Sequence, residues 1–213
     1  MRYSWLIFLV LTVGCNGQKK YHKVEAENSE VISSTKLAGI LKFQDELNKD
    51  YKDPKKSPLP DKYRKSFEKL DFFAPDTNYV ITAKFIKSMD APSFLMPTTT
   101  DRKPEYKVYG IAYFELNGKE FQLEVYQNQN LILQKQFKNH LFLPFLDKTN
   151  GKETYGGGRY IDLERPNGNE IVIDFNRSFN PYCAYSKKYS CPIVPLVNTL
   201  DVKVKAGVKA FKK

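Results

Sequence analysis

The residues best suited to chemistry lie in one stretch, from Leu141 to Cys191. It combines a triple glycine and two cysteines with many polar side chains. Eight of these are the candidate ligand contacts: Lys152, Glu153, Tyr155, Arg159, Asp174, Asn176, Arg177 and Asn180. An arginine in such a cluster binds a carboxylate or phosphate through two parallel hydrogen bonds. The cluster predicts a site for a small polar or anionic ligand, or for an envelope component, within residues 150–185. The alternative is an internal network of salt bridges and turns that fixes long loops.

Two carboxylates of this cluster, Glu153 and Asp174, are candidates for the acid–base pair of a hydrolase that acts on an envelope polymer. A serine nucleophile is not indicated, because the sequence has no G-x-S-x-G motif. A catalytic cysteine needs a base, usually histidine, and His140 is the one histidine of the folded part. Three functions therefore stay open: a binding domain, a carboxylate-dependent hydrolase and a structural envelope protein. Whether the protein is an enzyme is left undecided.

The two cysteines of the stretch, Cys183 and Cys191, are separated by seven residues. In an exported protein this arrangement predicts a disulfide. Two cysteines and one histidine leave a zinc ligand set incomplete, so we expect no metal and no cofactor.

The triple glycine, Gly156 to Gly158, precedes a predicted strand rather than a helix, and no lysine–serine pair follows it. It therefore matches neither a phosphate loop nor a dinucleotide fingerprint. We expect a bulge or tight bend at which two backbones, or a backbone and a ligand, approach closely.

The N-terminus resembles a bacterial lipoprotein signal. Arg2 precedes an apolar run from Trp5 to Val13, which has the length of a signal-peptide core and is too short to span a bilayer. Small residues then lead to Cys15, as in a lipobox, where cleavage leaves the cysteine thiol bearing a diacylglyceryl group with acyl chains such as palmitate. We expect residues 1–14 to be a cleaved signal peptide and Cys15 to be lipidated.

A lipidated cysteine predicts a location in the bacterial cell envelope. Asn16 follows with no acidic run, which by resemblance to sorting signals indicates the periplasmic face of the outer membrane. Residues 15–34 are polar and predict a flexible tether, whereas residues 35–213 suffice for a single β-rich domain. The formal net charge of +10 suits a surface beside an anionic membrane, and export argues against a nucleic-acid partner. The sequence does not indicate an oligomeric state.

The folded part reads as mainly β. Helical spacing predicts two short N-terminal helices, Ser33–Tyr51 and Asp61–Leu70. Short apolar segments separated by turns predict about eight strands, and thus an antiparallel β-sandwich or barrel. Besides two hairpins, these segments are Tyr79–Phe85, an interrupted edge within Pro92–Pro104, Leu131–Gln136, Leu141–Phe145 and Leu200–Lys205.

Turn chemistry predicts both hairpins. Asn117-Gly118 favours a two-residue turn that sets Phe114 opposite Phe121. The second hairpin turns through Pro166-Asn167-Gly168 and sets Leu163 opposite Ile171 and Ile161 opposite Ile173. That second pairing also brings Arg159 close to Phe175.

Several motifs together resemble the bacterial domain-of-unknown-function 1684 family. They are Ser57-Pro58-Leu59, YGIAYFELNGK, LFLPFLDKTNGKETYGGGRYIDLE and DFNRSFNPYCAYSKKYSCP. The resemblance spans roughly residues 37 to 209 and is most specific in the glycine and cysteine blocks. It implies one fold unit with a focal region, and the family name carries no activity.

Overall fold

The computed structural model describes residues 19–212, so the predicted signal peptide (1–14) and the lipidation site Cys15 lie outside the described residues. The chain divides into two units, Met1–Thr35 and Lys36–Lys213. Among the described residues, none of the helices has the length and apolar character needed to cross a bilayer.

Two helical segments precede the sheet, and both differ from the predicted short helices. Helix α1 spans Lys19–Lys52 and so begins within the segment predicted to be a flexible tether. That segment is rich in lysine and glutamate, which favour helices. Helix α2, Asp61–Arg64, is a single turn that ends before Leu70. The Leu70 amide bonds to the Asn48 side chain at 2.7 Å instead of continuing the helix.

Within residues 19–212, eight strands form one mainly antiparallel sheet, which confirms the predicted strand number and the β class. Their bounds are Val80–Lys87 (β1), Ser93–Leu95 (β2), Glu105–Leu116 (β3), Lys119–Asn128 (β4), His140–Asp147 (β5), Arg159–Glu164 (β6), Glu170–Asp174 (β7) and Thr199–Leu200 (β8). The order is β6-β5-β4-β3-β1-β7, with β2 on β3 and β8 parallel to β5. The sheet curls into an open half-barrel whose edge strands are β6 and β7.

The β3–β4 hairpin is confirmed with the predicted register. Asn117 and Gly118 have φ values of 54° and 73°, as the two-residue turn requires. Phe114 lies opposite Phe121, and Ala112 lies opposite Leu123. Turn chemistry and apolar pattern agree here, so local sequence sets the pairing.

The second predicted hairpin is wrong. Strand β6 pairs with β5, which sets Leu163 opposite Leu141. Strand β7 pairs with β1, which sets Ile173 opposite Ile81. Gly168 is not among the positive-φ glycines of the described chain, so the predicted left-handed turn does not form. Apolar partners on β5 and β1 outweigh a turn that is merely permitted, because buried side-chain pairs stabilise a sheet.

Two other strand predictions change. Leu131–Gln136 forms two 3-10 turns, Leu131–Leu133 and Lys135–Phe137, rather than a strand. The C-terminal strand shrinks to the two residues of β8. In the first case the Asn128 side chain accepts the backbone N–H of Leu131 at 2.8 Å, a local bond that favours a turn.

The main core lies on one face of the sheet. Alternate residues of β1 and of β3 to β7 are buried there, as the period-two pattern requires. The C-terminal segment contributes Leu200, Val204 and Ala206 to the same cluster. Strands β6 and β7 thus meet through core side chains without pairing, and a groove remains between their edges.

Candidate functional site

Arg159, the first residue of β6, lies in the interior. It pairs with Phe145 in the sheet, and its Nη2 atom reaches the Asp147 carboxylate at 2.6 Å. Neither side chain of this ion pair has exposed surface. The guanidinium also donates to the backbone carbonyls of Val204, at 2.9 Å, and Ala206. Burial lowers the pKa of Arg159, and the Asp147 carboxylate opposes that shift.

This ion pair fixes the C-terminal segment against the sheet. The Asp147 carboxylate has a second role, because its Oδ1 atom accepts the backbone N–H of Thr149 at 2.6 Å. The guanidinium lies 5.1 Å from the Phe145 ring, and Phe175 contacts the same ring edge-on. With its Nη donors directed at the Asp147 carboxylate and at protein carbonyls, and with no exposed surface, Arg159 is placed to support the fold rather than to meet a ligand from solvent.

The triple glycine confirms the predicted close approach at its third position. Gly158 has φ of +89°, and a Cβ atom there would lie 2.7 Å from the carbonyl oxygen of Phe145. Gly156 and Gly157 are exposed. The backbone therefore passes tightly over β5 just before Arg159 enters the core, and only glycine fits that passage.

Three more predicted residues belong to turns. Asp174 accepts the backbone N–H of Asn176 at 3.0 Å and so caps a 3-10 turn. Asn176 is buried, and its amide makes two reciprocal bonds to the backbone of Asp76, at 3.0 and 2.9 Å. The buried Asn180 amide donates to the carbonyl of Lys209 at 2.9 Å and to the Tyr185 hydroxyl. These contacts fix loops.

Lys152, Glu153 and Tyr155 follow β5 in a turn whose centre is the hydrogen bond between Thr149 and Thr154, 2.8 Å long. Lys152 is exposed and Glu153 half-buried. The Glu153 carbonyl accepts the N–H of Ala210 at 3.0 Å. Tyr155 points elsewhere, toward a cysteine. The eight predicted residues are therefore divided among several environments.

An open groove of about 850 Å³ lies between the edges of β6 and β7. Its lining has three classes of side chain, which are apolar (Val80, Phe137, Ile161, Leu163, Val172), cationic or imidazole (Lys135, Lys138, Arg177, His140) and acidic (Asp162, Glu164, Asp174), with Gln136 and Asn139 beside them. Of the predicted site residues, Asp174 and Arg177 line this groove.

Two contacts order the groove wall. His140 Nε2 donates to Asp162 Oδ1 at 2.9 Å across the β5–β6 pair, and the Nδ1 atom is buried without a partner in the described chain. The exposed Arg177 guanidinium lies over the Phe43 ring at 5.1 Å. A ring face supports the guanidinium and leaves its N–H groups free to bond elsewhere.

The predicted disulfide is not present. Cys183 and Cys191 are free thiols in the described chain, the first half-buried and the second buried. The backbone N–H of Cys183 donates to the Cys191 sulfur at 3.1 Å. The Tyr155 hydroxyl lies 3.9 Å from the Cys183 sulfur.

The groups that shift the pKa of these thiols are in direct contact. The hydrogen bond from Cys191 lowers the pKa of Cys183 to about 6, with further bonds from Tyr155 and Thr99, while burial acts in the opposite direction. The hydrogen bond with Cys183 and burial raise the pKa of Cys191. Burial, and then the charge on Cys183, raise the pKa of Tyr155 to about 12.

Sequence reasoning missed Asp147 and most of the groove. Asp147 is the last residue of an apolar strand. A prediction that paired β5 with β6 would have placed Asp147 near Arg159. The groove depends in part on residues 135–139. Of these, Lys135 and Gln136 were predicted to end a strand and instead lie in the 3-10 turn Lys135–Phe137. Among the described residues, no group of three or more His, Cys, Asp or Glu is arranged to bind a metal ion.

Comparisons with known proteins confirm the predicted resemblance. A family model described as "Protein of unknown function (DUF1684)" matches residues 65–209. The solution NMR structure of an uncharacterized protein from Haloarcula marismortui is similar, with a TM-score of 0.62 and 30% identity over 88% of this chain and 96% of that chain. None of the curated protein sequences matches the chain.

Proposed function

We propose that this chain, which belongs to the DUF1684 family, binds a small anionic molecule with an apolar portion in the groove between β6 and β7. The observation that carries the proposal is the composition of the lining. Five apolar side chains and three cationic side chains line the groove together with three carboxylates. A ligand site typically combines apolar surface with a few polar groups that fix the ligand's orientation.

The cations of the groove are more available than its carboxylates. Two of the three groove carboxylates are engaged within the protein: Asp162 accepts a bond from His140, and Asp174 accepts two from Asn176. Only the exposed Glu164 remains, against three cationic side chains. Arg177 is exposed and rests on a ring, so its fork of N–H groups is free for a carboxylate or phosphate. The excess of available donors favours an anion over a cation.

The proposal is tested by calorimetric titration with three probes that share one aromatic ring: phenyl phosphate, benzyl alcohol and benzamidine. We expect phenyl phosphate to bind best. Arg177→Ala should weaken its binding about tenfold or more, since a charge-assisted hydrogen bond contributes roughly 1.5–3 kcal/mol. Lys187→Ala, an exposed cation outside the groove lining, is the matched control and should leave binding unchanged. Equal binding of the three probes, or equal loss in both variants, contradicts the proposal.

A carboxylate-dependent hydrolase of an envelope polymer is the rival function. Of its two candidate residues, Asp174 lines the groove and Glu153 does not. Asp174 Oδ1 is also engaged as the cap of a turn. This rival predicts glycan or ester turnover that Glu153→Gln abolishes while the fold persists, and absence of turnover in the unmodified protein excludes it.

We further propose that the chain is a lipoprotein of the bacterial envelope, attached through lipid on Cys15 to the periplasmic face of the outer membrane. The support is the N-terminal sequence alone. Mass spectrometry of the membrane fraction should find a diacylglyceryl adduct on an N-terminal Cys15. An unmodified Cys15, or cleavage elsewhere, contradicts the anchor.

A further inference from the structure

We infer that Cys183 and Cys191 form a thiol–disulfide exchange site, in which Cys183 attacks a low-molecular-weight disulfide and Cys191 resolves the mixed disulfide. This site is separate from the groove, since neither cysteine lines it. The inference rests on how the two sulfurs differ in exposure, in backbone support and in hydrogen-bonding partners.

Cys191 is fixed from both sides. Its N–H donates to the Thr99 hydroxyl at 3.1 Å, and its carbonyl accepts the Thr99 N–H at 2.9 Å. The next residues continue the contact, because the N–H of Ile193 bonds to the carbonyl of Pro97 at 2.9 Å. With 5% of its surface exposed, Cys191 is shielded from a bulky reagent.

Cys183 is more exposed than Cys191. It lies in the 3-10 turn Tyr182–Ala184, at the other end of a loop that carries two exposed lysines. Its sulfur is half-buried and faces the Tyr155 hydroxyl. The pKa of Tyr155, raised to about 12, keeps that hydroxyl protonated at neutral pH, so it can donate to a thiolate. The pKa of Cys183, lowered to about 6, agrees with this direction.

The chemistry is a pair of displacements. The Cys183 thiolate attacks one sulfur of the disulfide, the sulfur–sulfur bond of the reagent breaks, and one thiolate leaves and takes up a proton. Cys191 then loses its proton, attacks the Cys183 sulfur and expels the second thiolate. The sum converts one disulfide and two protein thiols into two free thiols and a Cys183–Cys191 disulfide. The hydrogen bond from the Cys183 backbone to the Cys191 sulfur keeps the resolving atom beside its target.

The test uses the full chain with Cys15→Ser, so that the other two cysteines are the only thiols. After reduction, the chain is mixed with the disulfide of thionitrobenzoate, whose released thiolate is coloured. We expect two released thiolates per chain and no retained adduct. Cys191→Ser should release one and retain one adduct on Cys183. Cys183→Ser should react at least roughly tenfold more slowly, because its remaining thiol is buried.

The pH dependence of the reaction rate distinguishes a thiol with a lowered pKa from one that is merely exposed. The rate should be half-maximal near pH 6, the pKa of the Cys183 thiol. Tyr155→Phe should move that midpoint upward, while Tyr113→Phe, a partly exposed tyrosine on β3, should not. Equal rates for the two single-cysteine variants overturn the proposal. So do two retained adducts on the unmodified pair, or a Cys183–Cys191 disulfide that resists reduction in the folded chain.

Discussion

Arg159 and Arg177 belong to one polar cluster in the sequence and to two different regions of the structure. Arg159 has no exposed surface and is bonded to Asp147 and to backbone carbonyls. Arg177 is exposed, rests on Phe43 and lines the groove. The contrast shows that the two interpretations of the cluster, ligand site and internal network, apply to different members of it.

Removing the buried guanidinium should have the largest effect. We expect Arg159→Ala to lower the free energy of unfolding by about 3–5 kcal/mol, because the Asp147 carboxylate would remain buried and unpaired. Urea denaturation followed by circular dichroism measures this change. Arg177→Ala is the matched control. If the two variants lose equal stability, the contrast between buried and exposed arginine is wrong.

Replacing the glycine that precedes the buried arginine should have the second-largest effect on stability. Gly158→Ala places a Cβ atom against the Phe145 carbonyl at positive φ, whereas Gly118→Ala has positive φ but open space. We expect Gly118→Ala to cost about 1–2 kcal/mol for the left-handed backbone. Gly158→Ala should add roughly 1–3 kcal/mol for the clash. Thermal unfolding of the two variants measures this difference in stability. Equal melting temperatures would show that the close approach at Gly158 does not affect stability.

Removing the buried Asn176 amide should have a smaller effect on stability. Asn176→Ala leaves the N–H and carbonyl of Asp76 without their side-chain partner, which should cost about 1–3 kcal/mol. Asn167→Ala, in the exposed loop between β6 and β7, should change the unfolding free energy by less than about 0.5 kcal/mol. Denaturant titration compares them. A loss in Asn167→Ala as large as in Asn176→Ala would show that Asn176 does not pin the two segments.

Arg177→Ala should have the smallest effect on stability and the largest on the groove. The exposed cation–π contact contributes about 0.5–1 kcal/mol. Phenyl phosphate binding should fall while the melting temperature changes little. A large loss of stability would instead assign Arg177 to the internal network, and the groove would lose its main anion contact.

Local sequence was sufficient to predict the pairing where one short turn joins the two strands. The β3–β4 hairpin, with its Asn117-Gly118 turn, was predicted residue by residue because turn and apolar pattern specify the same register. The close approach at Gly158 followed from the strand after it. Both features involve residues adjacent in sequence or one short turn apart.

The partners of β6 and β7 could not be predicted from the sequence. The alternating Ile161 and Leu163 pattern suits either β5 or β7 as partner, and the choice of β5 decides where Arg159 points. The groove depends on the same choice, because it exists only when β6 and β7 are separate edges. The turn at residues 135–137 was hidden by apolar residues that also suit a strand.

Amide chemical-shift mapping with phenyl phosphate locates the ligand and monitors the groove and the buried Arg159 region in one titration. We expect shifts concentrated at residues 135–140, 162–164 and 172–177, which border the groove, and little change at Arg159 and residues 204–208. Shifts centred on Arg159 and the C-terminal segment, or no shifts at all, would contradict it.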